Sequence, residues 1–223
     1  MDRREFLTSF QTKSQEQDFS HIDRTMSGLT PYNGPWGTSE VTHLLKRTMF
    51  GAAVADVNYF KTKTLAQTVD ELINVVVADP LPPVNNYNDK IADPDVPAGE
   101  TWVNAAHSKD ATINNQRTNS LISWWTGLQL NQSRSITEKM VLFWHNHFVT
   151  QRPNINPAGY LFKYNALLRT NALGNFKTFT KQITLNPAML VYLNGNVNVK
   201  AAPDENYGRE LQELFTMGKG PDS

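Results

Sequence analysis

The residues best suited to chemistry sit in one stretch, Glu138-Lys-Met-Val-Leu-Phe-Trp-His-Asn-His-Phe-Val149. In a chain without thiols, imidazole and carboxylate are the ligands that hold zinc or iron, and the same groups serve as general acids and bases. At about 100° per residue, Ile136, Met140, Phe143 and His147 share one face of a helix with Trp144 beside them, while Val141, His145 and Phe148 lie opposite. The two imidazoles are then about 160° apart, so a single ion cannot take both without a helix break near Asn146. A second group must come from elsewhere, and Glu210 is the candidate. It flanks the apolar stripe of the last helical segment, where a carboxylate needs a partner or an exit to water. An enzyme built on this pairing uses His147, Glu210 and His145 as catalytic groups and Asn146, Asn206 and Arg209 to place a substrate. Any metal falls to His147 and Glu210. The cofactor is not specified by the sequence; a divalent metal is the kind these donors suit.

A second reading needs no reaction. His147 and Glu210 can form a buried pair inside a structural or binding module, because burying either alone costs about 1–3 kcal/mol. This reading is the simpler one, since His-Glu-x-x-His, Glu-x-x-His, Gly-x-Ser-x-Gly and phosphate-loop patterns are all lacking. Whether the chain is an enzyme stays open at this level. Its 21 basic and 21 acidic residues balance and form no basic stripe, which argues against nucleic acid as a partner. No apolar run approaches the roughly 18 residues of a transmembrane segment. Arg3-Arg4-Glu5-Phe6-Leu7 is like the core of a twin-arginine export signal, yet polar residues follow it instead of an apolar segment. Localisation is therefore open between cytoplasmic and exported.

The elements that must position these groups read as helices throughout. Residues 1–37 are polar and turn-rich, an amino-terminal arm expected to be partly disordered, and 38–223 form the helical domain. Thr38 or Ser39 caps a first helix through Val41, Leu44 and Leu45. Thr64-Leu-Ala-Gln67 is a capping box for a second that runs through Val76. Residues 79–99, rich in Pro, Asn and Asp, read as a flexible excursion rather than a functional loop. The helix from Arg117 to Leu130 carries Leu121, Trp124, Trp125 and Leu128 on one side, and its tryptophans read as core rather than as a stacking platform. Ser135-Ile-Thr-Glu138 is a second capping box. Asn156-Pro157 and Asn186-Pro187 each combine a cap with proline at the first helical position. The last helix spans about 203–217, with Tyr207, Leu211, Leu214 and Phe215 inward and Glu205, Arg209 and Glu213 as an outer ion-pair ladder. The expected fold is all-α, an irregular bundle of seven to nine helices. The stretch from Glu138 should be its most buried helix and Phe143 a core residue.

Three segments in order, Phe143–Phe148, Asn186–Asn194 and Asp204–Gly218, together with His43–Gly51, resemble a large bacterial family known as domain of unknown function eighteen hundred. The resemblance covers about residues 31–220. Gly208 stands where the family has Ala and Asp204 where it commonly has Asn; the glycine should weaken its helix by about 1 kcal/mol. Members are commonly longer, so the resemblance implies that this chain is an amino-terminal half. Its partner is then the missing carboxy-terminal half, or self-association covers the apolar stripe of the last helix. Many members are exported, which favours the signal reading of Arg3-Arg4. The resemblance implies a fold and motifs, not a reaction.

Overall fold

The computed structural model describes residues 31–203 and 205–220, so the twin-arginine motif, the arm as far as residue 30, and Asp204 lie outside the described residues. Backbone contacts separate the chain between Pro35 and Trp36, and the helices among the described residues all belong to the unit from Trp36 onward. Among the described residues there are nine α-helices and no strand: α1 (Thr38–Thr48), α2 (Val54–Phe60), α3 (Leu65–Asn74), α4 (Ala111–Leu130), α5 (Thr137–His147), α6 (Ala158–Thr170), α7 (Phe176–Thr184), α8 (Pro187–Tyr192) and α9 (Asn206–Glu213). None is long and apolar enough to cross a membrane.

Local chemistry explains the ends of these helices, and corrects several expectations. Thr64 and Gln67 form the reciprocal box at the start of α3, and Asn186 with Pro187 opens α8 as read from the sequence. α1 is capped one residue earlier than Thr38: the Glu40 carboxylate accepts the Gly37 N–H at 2.9 Å. α3 stops at Asn74, leaving Val75–Val77 outside it, because β-branched residues in sequence gain little from helical backbone. Pro157 caps α6 where Asn156 was expected. Ser135-Ile-Thr-Glu138 forms no box. The Ser135 hydroxyl takes the Thr137 N–H at 3.1 Å, and Glu138 is drawn away into a bidentate pair with Arg169 at 2.9–3.0 Å. The orphan carbonyl of Leu72 near the end of α3 accepts the Ile136 N–H at 2.9 Å. α2 has too short an apolar pattern to be foreseen.

Three apolar clusters hold the fold. Val41, Leu45, Val57, Phe60 and Leu72 join α1, α2 and α3. Tyr87, Val96, Trp102 and Leu121 pin the long connection between α3 and α4. The largest cluster gathers Val141, Phe148, Tyr164, Leu168, Phe179, Met189 and Phe215 from α5 onward.

Two further expectations fail for instructive reasons. Residues 79–99 are no flexible excursion, since Tyr87, Asp93 and Val96 are buried. The Arg117 guanidinium clasps Asp93 through Nε–Oδ2 at 2.8 Å and Nη2–Oδ1 at 2.9 Å, with side chains 3% and 0% exposed. Nor is α5 the most buried helix: only Val141 in it is fully enclosed, and Phe143 is 52% exposed. A helix apolar nearly all round is covered here by α6 and by part of α4, which leaves one apolar flank bare. Phe148, one residue past the end of α5, takes the place in the core that Phe143 was expected to fill.

Candidate functional site

Of the candidate residues, His147, Asn206 and Glu210 line one groove of about 550 Å³. α5 supplies the imidazole from its last turn, α8 contributes Tyr192, and α9 with the turn after it brings Asn206, Glu210, Leu214 and Phe215. The three motif segments singled out in the sequence therefore meet along one wall. Aromatic rings hold His147 in place: Phe148 lies edge-on at 4.7 Å, Trp144 at 5.7 Å and Phe176 at 6.0 Å between centroids.

His147 and Glu210 share the groove but are half-buried rather than buried, and the hydrogen bonds that each makes run to other partners. His147 Nε2 lies 2.8 Å from the Phe215 carbonyl oxygen. A carbonyl only accepts, so Nε2 carries a proton, and in the neutral form of the ring the lone pair is on Nδ1. The Glu210 carboxylate accepts from Arg209 Nη2 at 2.7 Å. The same Nη2 donates to Asn206 Oδ1 at 3.0 Å, and Arg209 Nη1 reaches Glu213 at 3.6 Å. Asn206, Arg209 and Glu210 are thus brought together in one polar chain on α9. Asn146 is exposed and is not among the lining residues. Among the described residues no three His, Asp or Glu side chains gather where they could hold a metal ion.

His145 points the other way, as its helical position required. Its ring meets Trp125 edge-on at 5.1 Å and Tyr164 at 5.7 Å. Burial pushes its pKa below the ordinary histidine range, which favours the neutral ring. Its Nδ1 is buried without a hydrogen-bond partner, and so is Trp125 Nε1. The face of α5 opposite His147 is expected from the sequence to turn His145 toward the Trp124–Trp125 helix or solvent, and the contact with Trp125 is the first of these.

An all-helical unit with a groove walled by three motif segments defines the class of protein. The pattern of the family described as "Protein of unknown function (DUF1800)" matches residues 43–222, and the chain belongs to that family. No curated protein and no solved structure matches the chain.

Proposed function

We propose that this domain is a non-catalytic helical binding module whose docking face is the groove of the three motif segments, and that its occupant is a second copy of the chain. The observation that carries this is the composition of the groove's edge. Val149 and Leu214 are apolar yet 39% and 63% exposed, beside half-exposed charges of both signs, Arg209 at 47% and Glu213 at 36% of their side chains. A patch bearing both apolar groups and opposite charges can match a second copy of itself across a two-fold axis.

The alternative, a metal-dependent or acid–base enzyme with a hydrolase-like site on the same two helices, rests on the lone pair of His147 Nδ1. Against it, the Nε2 position is taken by Phe215 and Glu210 is neutralised by Arg209. Sedimentation velocity decides the first reading. The sedimentation coefficient of the unmodified chain should rise with concentration, and Leu214→Asp should abolish the rise while leaving helix content unchanged. A chain that stays monomeric up to about 300 µM overturns the proposal, because a weaker contact would have no standing as a specific interface. One equivalent of zinc bound to the purified chain, and lost in both His147→Ala and Glu210→Gln, would favour the enzyme instead.

A further inference from the structure

The face of α5 opposite the groove carries a separate pocket of about 220 Å³, lined by Leu121, Ile122, Trp125, His145, Leu161 and Tyr164 among others. Its walls are mostly aliphatic and aromatic. A cavity of about 150 Å³ lined by such side chains takes up benzene, so this one has room for a single ring with a short substituent.

Two observations mark it as more than a packing defect. Four of the five indole N–H groups in the chain donate to an acceptor: Trp36 to Lys63 O at 2.9 Å, Trp102 to Ser120 Oγ at 3.2 Å, Trp124 to Leu81 O at 2.7 Å and Trp144 to Ala172 O at 2.9 Å. Trp125 Nε1 is the exception, buried without a partner, and its residue lines the pocket. His145 Nδ1 is in the same state, on the same pocket. Leaving a buried polar atom unmet costs about 1–3 kcal/mol, and the Trp125 indole, which can only donate, favours an occupant that brings an acceptor to this space.

The polar groups also select what that occupant is. No carboxylate lines the pocket, and its one charged member is Arg152. That guanidinium commits Nη2 to Asn119 Oδ1 at 2.9 Å, which leaves further N–H donors for another acceptor. Trp125 and Arg152 can only donate. We infer that this pocket binds a small arylalkyl carboxylate, its ring among Leu121, Ile122, Leu161 and Tyr164 and its oxygen atoms toward Trp125 Nε1 and Arg152. The pocket lies on the opposite face of α5 from the His147 groove, so occupancy here does not depend on the docking reading.

Phenylacetate titrated into the full chain, followed by the indole N–H resonances in a proton–nitrogen correlation spectrum, tests this directly. The Trp125 resonance should shift saturably while the other four indole signals hold still. Ile122→Trp, which fills the pocket from a half-exposed wall position (46% exposed), should abolish the shift without disturbing the fold. Phenylacetamide should bind about tenfold more weakly than phenylacetate, and Arg152→Gln should erase that difference. A Trp125 signal unmoved at about 10 mM phenylacetate, five indole signals moving together, or undiminished binding by Ile122→Trp would each overturn the site. Equal affinity for acid and amide in the unmodified chain would overturn the assignment of a carboxylate.

Discussion

Replacing Arg117 by methionine is the sharpest test of how the long connection between α3 and α4 is held. Asp93 takes two guanidinium bonds from Arg117, one hydroxyl bond from Tyr87 at 2.8 Å and one backbone N–H from Asp95 at 3.1 Å. Arg117 spends Nη1 on the Ala106 carbonyl at 2.6 Å. With both side chains out of water, methionine fills most of the volume but leaves a buried carboxylate with its cation gone. Breaking a buried pair from one side costs about 3–5 kcal/mol, of which the stranded charge is the larger part. For a domain of this size that corresponds to a loss of about 6–20 °C in melting temperature. Asp93→Asn on the Arg117→Met background removes the stranded charge and should recover part of the loss. Chemical denaturation of the four chains in the cycle measures the coupling. If Arg117→Met costs less than about 1 kcal/mol, the pair is no more than a surface contact in energy, and the connection is held by something other than the Asp93–Arg117 clasp.

Three more outcomes follow from the same structure. Burial pushes the Asp93 carboxyl upward, but the hydrogen bonds from Arg117, Tyr87 and Asp95 outweigh it and the net pKa is lowered. Its contribution is therefore present above the unfolded value of about 3.9 and lost as pH falls through the folded one, so denaturant midpoints of the unmodified chain and Asp93→Asn should converge in acid; a gap that widens there contradicts the sign. Phe148→Ala should cost about 3–5 kcal/mol and Phe143→Ala under about 1 kcal/mol, an order that urea unfolding can reverse only if the end of α5 is misplaced. Thr64→Ala removes one half of the box on α3 and should cost about 1 kcal/mol, read from the same curves, with no effect pointing to a helix held by packing alone.

What was legible in the sequence follows from how local each determinant is. Caps made within four residues, at Thr64–Gln67 and Asn186–Pro187, need nothing from the rest of the chain and appear as read. Ser135 and Glu138 have the same local pattern, yet a bidentate arginine 31 residues away outbids the backbone N–H for the carboxylate. Periodicity placed His145 and His147 on opposite faces correctly, because that depends on helix geometry alone. It could not say which of those faces would be covered, and so it put Phe143 in the core. The site partner was chosen by the same argument. Glu210 does reach the groove, but its neighbour Arg209 and the Phe215 carbonyl, both invisible to a facewise reading of α9, supply the actual bonds. Asp93 and Arg117 were overlooked because charged residues in a Pro- and Asp-rich stretch normally face water.

The hydrogen bond from Ile136 to the Leu72 carbonyl bears on the order in which the chain assembles. Every residue of the cluster joining α1, α2 and α3 lies between Val41 and Leu72, so its loops are short and its entropic toll on closure is low. It can condense while the remainder is still being synthesised. The Leu72 carbonyl then stays with water until Ile136 arrives from 64 positions downstream, and that meeting closes a loop holding the whole Asp93 connection and α4. Assembly in this order predicts that pulsed hydrogen exchange will protect amides of α1–α3 before those of α5, and simultaneous protection would show instead that the nucleus spans both.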